Sequence, residues 1–235
     1  MKFLLVSDLH KSYKSFKGQD ESVSVEWLLG ILDETKPDFL LGAGDWGEGV
    51  TPEDISRIIS KVQLLTVYGN HENFPLIKPH SLPDGKVVQR GGLKIAGVNG
   101  LIGEGKREYM IAPDDFVHTV KKIKRVGEVD VFLAHQPPYL PEVYPWMRDD
   151  GYGRMMSEAV ELLKPKLFFN GHMTDGCYTY HEFPFGTRYL RVDSSQNFKC
   201  YGILDSETGE ITVYEDGEVT FHLAIGERRW THESS

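Results

Sequence analysis

Five short apolar runs, separated by helical patterns, are the feature of this sequence that most limits its fold. Each run is nearly all apolar and is bounded by polar or turn residues, as expected for strands that are buried on both faces of a sheet. The runs are Phe3–Val6, Phe39–Leu41, Leu64–Val67, Val131–Ala134 and Leu167–Phe169. Alternation of such strands with helices predicts an α/β fold, with two packed sheets.

Four amphipathic helices are predicted between these runs. The start of the second is the clearest, because Thr51 is a typical N-cap and Pro52 suits the first helical position. Apolar residues recur at helical spacing within Val25–Leu32, Ile55–Val62, Phe116–Ile123 and Met155–Leu162. One apolar face on each helix is suited to cover a sheet.

From Cys177 onward the pattern changes to strands and turns. Tyr201–Leu204, Ile211–Tyr214 and Val219–Leu223 are separated by Glu-Thr-Gly and Glu-Asp-Gly turns, which predicts a meander. No linker-like segment sets this end apart. We therefore expect one domain over residues 1–235, with a motif-bearing part at 1–175 and a β-rich part at 176–235.

Charge and cysteine usage exclude several classes of protein. The formal net charge of −9 argues against an extensive nucleic-acid surface, which needs clustered Lys and Arg. No apolar run approaches the ~18 residues that a membrane span requires. Cys177 and Cys200 lie 23 residues apart, which fits neither a paired-cysteine metal motif nor a disulfide framework. We expect a reduced, soluble, cytoplasmic protein.

Each of the five runs leads into residues that can bind a metal or transfer a proton. Ligands of α/β sheets bind outside the carboxyl ends of the strands, so these residues should meet in one crevice. Asp8 and His10 are two apart and should point to the same side, whereas the adjacent Asn70 and His71 should point apart. This favours Asn70 as a neutral oxygen ligand and His71 as a free imidazole facing the substrate. The full set is Asp8, His10, Asp45, Asn70, His71, His135 and His172.

These residues stand in five ordered motifs: Asp8-Leu9-His10, Gly44-Asp45, Gly69-Asn70-His71-Glu72, Ala134-His135-Gln136-Pro137-Pro138 and Gly171-His172-Met173-Thr174. Together they resemble the motif set of the calcineurin-like metallophosphoesterases. The resemblance implies a four-layer α/β/β/α sandwich of two mixed sheets flanked by helices, and a two-metal centre. By position it assigns Asp8 and His10 to the first ion, Asp45 to both ions, Asn70, His135 and His172 to the second, and His71 to catalysis.

The last motif departs from the family pattern. That motif usually ends Gly-His-x-His, with the second His on the first metal, but here the position is Thr174. A hydroxyl is a shorter and poorer ligand than an imidazole. The first site is therefore expected to be weak, to use Asp175 or water instead, or to fill only with substrate.

Imidazole and carboxylate ligands without thiolate suit two divalent ions of Mn, Fe, Zn, Ni or Co, with Mn favoured. We expect a phosphoesterase, a phosphodiesterase before a phosphomonoesterase, that acts on a small phosphorylated or nucleotide substrate. A water activated between the ions would attack phosphorus in line, and His71, with Asn70 beside it, would assist the leaving group. The alternatives are a non-catalytic scaffold of the same fold and a metal-dependent nuclease. The intact metal positions argue against the first, and the net charge argues against the second.

Residues near the motifs are candidates for binding substrate or supporting the ligands. Arg148 and Arg154, in an aromatic-rich loop, could clamp a phosphate, although packing of this loop over the sheet explains them as well. Glu48 and Glu72 could orient ligand histidines. Three lysines that follow the first motif could steer phosphate or lie on a solvated loop: Lys11, Lys14 and Lys17.

Overall fold

Two mixed β-sheets packed face to face, with helices on their outer faces, build the protein. The structure is a computed structural model that describes residues 1–16 and 18–224. This arrangement of layers is the predicted α/β/β/α sandwich, and that prediction is confirmed. The predicted β-rich part runs to residue 235, and its residues 225–235 lie outside the described part of the chain.

The first sheet joins the two ends of the described chain. In spatial order its strands are β16 (Glu218–Leu223), β15 (Ile211–Glu215), β14 (Cys200–Asp205), β1 (Lys2–Val6), β4 (Phe39–Gly42) and β5 (Gln63–Thr66). Strands β1, β4 and β5 are parallel, and the C-terminal meander of β14, β15 and β16 continues the sheet in antiparallel pairing. The predicted meander is confirmed.

The second sheet has a parallel centre with one antiparallel strand at each edge. In spatial order its strands are β12 (Tyr178–Glu182), β13 (Arg188–Val192), β11 (Leu167–Asn170), β10 (Val131–Ala134), β7 (Leu93–Val98) and β6 (Val87–Arg90). Two small pairs of strands lie outside the sheets: β2 (Ser15–Phe16) with β3 (Gln19–Asp20), and β8 (Leu101–Ile102) with β9 (Met110–Ile111).

The four predicted helices are present. Along the described residues the helices are α1 (Ser24–Thr35), α2 (Pro52–Lys61), the short α3 (Phe74–Ile77), α4 (Pro113–Val126) and α5 (Tyr152–Leu163). The predicted start of α2 is confirmed, because Thr51 Oγ1 accepts a hydrogen bond from the Asp54 backbone N–H while the Asp54 carboxylate accepts one from Thr51. This reciprocal cap fixes the point at which the chain enters the helix.

Alternating side chains on the buried strands separate the layers. In β1, Phe3 and Leu5 pack in the core between the two sheets, whereas Leu4 and Val6 pack against α1 and α2. In the second sheet, Phe132 of β10 packs against α4 and α5. Because both faces of these strands are covered, their sequences are apolar throughout.

Four strands do not stand out in the sequence. β6 and β7 precede the small β8–β9 pair, and Lys94 and Gly97 interrupt the apolar pattern of β7. β12 and β13 carry polar residues, and β13 contains Arg188 and Arg191. Since Arg191 is fully buried although it is charged, periodicity alone does not show that β13 is a central strand.

The expectation of reduced, unpaired cysteines is wrong, because Cys177 and Cys200 form a disulfide with a Cα–Cα distance of 5.5 Å. Cys177 lies directly before β12 of the second sheet, and Cys200 begins β14 of the first. The bond therefore joins the two sheets. A separation of 23 residues along the chain carries no information about this contact, which only the packing of the sheets creates.

Among the described residues, no helix has the length and apolar character needed to span a membrane.

Candidate metal centre

The loops that follow five buried strands meet at one end of the two sheets. The backbone N–H of Asp8 donates to Gly44 O at 3.0 Å, and that of His10 donates to Asp45 O at 2.9 Å. The Asp45 carboxylate in turn accepts from the backbone N–H of Asn70 at 2.7 Å and of His71 at 2.8 Å. Loops from neighbouring strands thus hold one another in place.

A first group of possible ligands contains Asp8, His10 and Asp45, whose ligand atoms all lie within 4.8 Å of one another. His10 Nε2 is 3.7 Å from Asp8 Oδ1 and 3.7 Å from Asp45 Oδ2. Both carboxylates are buried, and the His10 side chain is 31% exposed. This group borders open space on the imidazole side.

A second group contains Asp45, His135 and His172 and is enclosed more tightly. His135 Nε2 is 3.3 Å from Asp45 Oδ2, and the His135 side chain is fully buried. His172 Nδ1 is 3.2 Å from His135 Nε2 and 3.0 Å from Asn70 Oδ1. Because Asp45 belongs to both groups, one carboxylate links them into a single centre.

The donor atoms of the second group fit a divalent cation. His135 Nδ1 lies 2.8 Å from Ala43 O, and a proton shared there leaves Nε2 as a lone-pair atom that faces Asp45 and His172. Amide, carboxylate and imidazole groups that converge in this way can hold a cation once the imidazoles have lost their protons. A Cβ atom at Gly69 would come within 2.1 Å of Asp45 Oδ1 and 2.7 Å of His135 Nε2, so this space is open only because residue 69 is glycine.

Burial and neighbouring groups both shift the pKa values of these residues. Burial raises the pKa of Asp45, but the charge of His135, the hydrogen bond with His135 and the charge of His10 together outweigh it and hold that pKa well below its usual range. Burial lowers the pKa of His135, but the charge of Asp45, the hydrogen bond with Asp45 and the charge of Asp8 together raise it to about 9. Burial and the charge of His135 lower the pKa of His172 to about 4, and burial raises that of Asp8 to about 7. A cation that binds here must displace protons.

Four of the ligand positions have backbone conformations that side chains seldom adopt. Their φ angles are +57° for Asp8, +51° for His10, +57° for Asp45 and +72° for His172. In this left-handed region Asp and His are better tolerated than most residues other than glycine. The bends turn the side chains towards the centre immediately after each strand.

Glu72 has a role other than the predicted support of a ligand histidine. Its Oε1 accepts hydrogen bonds from the backbone N–H groups of Asp45 at 2.8 Å and Gly69 at 2.9 Å, and its Oε2 accepts one from Trp46 at 3.1 Å. Burial raises the pKa of Glu72 to about 8. The carboxylate therefore fixes the two loops that carry Asp45 and Asn70.

His71 lies beside the centre and belongs to neither group. Its side chain is 54% exposed, and its ring centroid is 5.5 Å from that of His10. Its Nδ1 lies 3.9 Å from Glu48 Oε1, which is beyond hydrogen-bond distance. The imidazole is thus available to a molecule that occupies the space next to the first group.

A cavity of about 480 Å³ opens over the centre, a size suited to a small molecule. Its lining includes His10, Asp45, Asn70, His71, His172 and Thr174. It also includes residues that sequence analysis did not single out: Ser12, Glu21, Asp193, Ser195, Asn197 and Phe198. Asp193 follows β13 as the other site residues follow their strands, so recognition of β13 as a buried strand would have pointed to it.

Of the basic residues proposed to bind substrate, Lys11 alone among those described lines the cavity. Lys11 lines the cavity, but its Nζ is 2.5 Å from Asp54 Oδ2, and the exposed Lys14 does not line it. Arg154 pairs with Asp149 at 2.5 Å and lies over the Tyr139 ring at 4.7 Å. Within the described part of the chain, neither Arg148 nor Arg154 lines the cavity, so their role in substrate binding stays a prediction. Lys17 lies outside the described residues.

The sequence model of the calcineurin-like phosphoesterase family matches residues 1–175, which include every position of the two ligand groups. No curated protein sequence matches the chain.

Several solved structures share the fold at low sequence identity. The TT1561 protein of Thermus thermophilus has a TM-score of 0.66 and 15% identity, over 91% of this chain and 98% of that one. A dimetal phosphatase from Danio rerio has a TM-score of 0.57 and 11% identity, over 95% and 98%. GAP50, the anchor in the inner membrane complex of Plasmodium, has a TM-score of 0.58 and 13% identity, over 99% and 91%. One fold thus serves a phosphatase and an anchor, and function has to be argued from the site.

Proposed function

Because the chain belongs to the calcineurin-like phosphoesterase family, and is therefore a metal-dependent phosphoester hydrolase, we propose that it cleaves a small phosphodiester at a centre of two divalent cations. The observation that carries this proposal is the position of Asp45, whose carboxylate belongs to both ligand groups. One shared carboxylate is what a pair of ions about 3.5–4 Å apart requires.

The residues divide between the two ions as their contacts suggest. Asp8, His10 and Asp45 would hold the first ion, and Asp45, Asn70, His135 and His172 would hold the second. The set contains oxygen and imidazole donors and no thiolate, which suits Mn²⁺ best among the common candidates. When bound, two such ions supply Lewis acidity towards phosphoryl oxygens and lower the pKa of water between them.

His71 is the residue best placed to complete the reaction. Its imidazole borders the cavity and is not tied to a ligand group, so it can hold a proton at a ring nitrogen and deliver it to the leaving oxygen. Its backbone N–H is fixed by the Asp45 carboxylate at 2.8 Å. The loop that presents the acid is therefore anchored to the residue shared by both ions.

The charge of the cavity wall favours a diester as the substrate. Glu21, Glu48 and Asp193 line the cavity, whereas the cation of Lys11 is paired with Asp54. A phosphodiester carries one negative charge and a monoester carries close to two at neutral pH, as for other phosphate monoesters. Repulsion from the acidic wall is therefore smaller for the diester.

Hydrolysis of a panel of substrates tests this proposal. We expect the Mn²⁺-loaded protein to cleave bis(p-nitrophenyl) phosphate faster than p-nitrophenyl phosphate, to act on cyclic nucleotides, and to lose all activity in EDTA. Hydrolysis of single-stranded DNA would identify the protein as a nuclease. Asp115→Asn, on the exposed surface of α4, is a control that should behave as the natural protein. Absence of hydrolysis in every arm, from protein that binds Mn²⁺, would contradict the proposal and favour a scaffold.

A further inference from the structure

Asp193 is a buried acid beside the ligand group that lacks an imidazole at position 174. It is 4% exposed and lines the same cavity as His10, Asp45 and Thr174. Thr174 itself is exposed. The wall of the cavity therefore offers a carboxylate where the sequence motif offers only a hydroxyl.

The topology of the second sheet brings Asp193 to this place. β13 runs parallel to β11, with Arg191 opposite Asn170, so Asp193 follows β13 at the same end of the sheet at which His172 follows β11. The next residue, Ser194, donates its backbone N–H to Ser7 O at 2.8 Å, and its Oγ accepts from the Ser7 backbone N–H at 3.2 Å. Ser7 directly precedes Asp8. Asp193 is thus anchored to the turn that carries the first ligand group.

The backbone of Asp193 is fixed on both sides. Its N–H donates to Cys177 O at 2.9 Å, and its carbonyl accepts from the Cys200 N–H at 3.0 Å. These are the two cysteines of the disulfide, so the bond between the sheets holds Asp193 from both neighbouring strands. Its Oδ1 accepts from the Ser195 N–H at 3.0 Å. Within the described part of the chain, no basic side chain forms an ion pair with this carboxylate.

Glu21 is independent evidence that a cation binds next to this wall of the cavity. It is 1% exposed and lines the same cavity, and among the described residues its Oε1 has no hydrogen-bond partner. Its Oε2 accepts only a 3.3 Å bond from the Gln196 backbone N–H. The charge of Asp193 also acts on Asp8, His10 and Glu21. Buried carboxylates grouped in this way need a positive charge to balance them.

We propose that the carboxylate of Asp193 supports the first divalent cation from the cavity wall and offsets the imidazole that is missing at position 174. This inference rests on the proposed two-metal function. Asp8, His10 and Asp45 are the side chains whose ligand atoms lie within 4.8 Å of one another, and Asp193 adds a negative charge beside this group.

Titration of Mn²⁺ by calorimetry and by electron paramagnetic resonance tests this assignment. Asp193→Asn keeps the oxygen that accepts from Ser195 and removes only the charge. We expect it to weaken the first site by about 10–100-fold and to leave the second unchanged, as is found for groups that support a metal. Asp193→Glu retains the charge and should preserve most of the affinity. Asp115→Asn, on the exposed surface of α4, is the control and should change neither site, whereas Asp175→Asn tests the other candidate carboxylate, beside Thr174.

The metal preference gives a second readout. Asp193→Asn should weaken the first site for Mn²⁺ and for Zn²⁺ by similar factors, because the substitution removes a charge and not a ligand atom. If Asp193→Asn, folded as judged by circular dichroism, binds two Mn²⁺ ions as tightly as the natural protein, the role of Asp193 is wrong while the two-metal function stands. If Asp175→Asn weakens the first site instead, Asp175 is the replacement. A natural protein that binds no Mn²⁺ would overturn the proposed function itself.

Discussion

The two proposed metal positions share Asp45 but are built differently. Around the second position, His172 Nδ1 lies within 3.2 Å of ligand atoms of both His135 and Asn70, and the His135 side chain has no exposed surface. Around the first, His10 is 31% exposed and stands 3.7 Å from each carboxylate. The second position is already assembled by protein packing, whereas the first is open to the cavity.

This difference shows how one centre can hold one ion tightly and leave the other ion accessible to substrate. Ligands that are packed in place lose little freedom when an ion binds, so the second position should hold its ion tightly. An open side next to the cavity leaves room for an oxygen of the substrate, as in catalytic metal sites generally. We therefore expect the second ion to be held more tightly and the first ion to be the more accessible to substrate.

The most severe test removes the residue common to both positions. Asp45→Asn withdraws a charge from each ion, and since each ion contributes several kcal/mol to the stabilisation of the transition state, turnover should fall by at least about 10⁴-fold. Metal content, measured by mass spectrometry of the dialysed protein, should fall at both positions. A variant that loses only one ion would show that Asp45 does not link the two groups.

Removal of His71 should affect turnover without affecting either metal position. His71→Ala is expected to reduce turnover by ~10²–10⁴-fold at unchanged metal content, because the imidazole supplies a proton and not a ligand. The loss should be smaller for substrates with a nitrophenolate leaving group, which needs little protonation. Kinetics on an alkyl and a nitrophenyl ester of the same phosphate would show the contrast. Loss of metal in step with activity would identify His71 as a ligand.

A substitution at position 174 tests whether the first metal position has room for one more ligand. Thr174→His should strengthen the weaker of two Mn²⁺ sites by ~10–100-fold if its imidazole reaches the first ion. Calorimetric titration of both proteins would measure this change. Two equal sites in the natural protein, unaffected by the substitution, would mean that the first position is already complete.

The metal affinities of the two positions should depend differently on pH, and this effect should be smaller than those of the substitutions above. Because the pKa of His135 is raised to about 9, the metal-free protein keeps a proton there at neutral pH, and a cation at the second position must displace it. Its affinity should rise by up to about tenfold per unit between roughly pH 7 and pH 9. His172, with a pKa of about 4, is already neutral over this range.

The stability of the metal-free protein should fall as the pH rises, whereas its affinity for the cation increases. The proton on His135 stabilises the metal-free fold below about pH 6.5, the ordinary histidine pKa, and this contribution is lost as the pH rises through about 9. The Tm of the metal-free protein should therefore fall over that interval while that of the Mn²⁺-loaded protein does not. On the acid side, activity should decline below about pH 6 and recover in part with added Mn²⁺. An affinity that is independent of pH would remove His135 from the ligand set.

The predictable parts of the molecule are those in which a single strand shows a clear apolar pattern and the candidate ligand directly follows it. The run Val131–Ala134 is apolar on both faces and ends at His135, so both the strand and the candidate ligand are visible in the sequence. β13 belongs to the same parallel arrangement, but Arg191 interrupts its apolar pattern and finds its hydrogen bonds in the carbonyls of Asp175 and Gly176. Asp193 was missed for this reason, since a residue at a strand end is recognised only if the strand is.

Other features depend on contacts between segments that are far apart in the chain. The Cys177–Cys200 disulfide exists because two sheets meet, and Glu72 serves backbone amides of two loops instead of a histidine. Neither contact can be recognised from residues that are close together in the sequence. Spacing shows which side chains share a face of one element, and it says nothing about which elements become neighbours.

The left-handed turns at Asp8, His10, Asp45 and His172 make the metal centre a cost to the stability of the fold. A non-glycine residue in this conformation costs on the order of 1–2 kcal/mol, a sizeable share of the roughly 5–15 kcal/mol by which a domain is stable. Replacement of any of these residues by glycine should therefore stabilise the metal-free protein while it removes a ligand. The same four positions thus exchange stability of the fold for the ability to hold a metal.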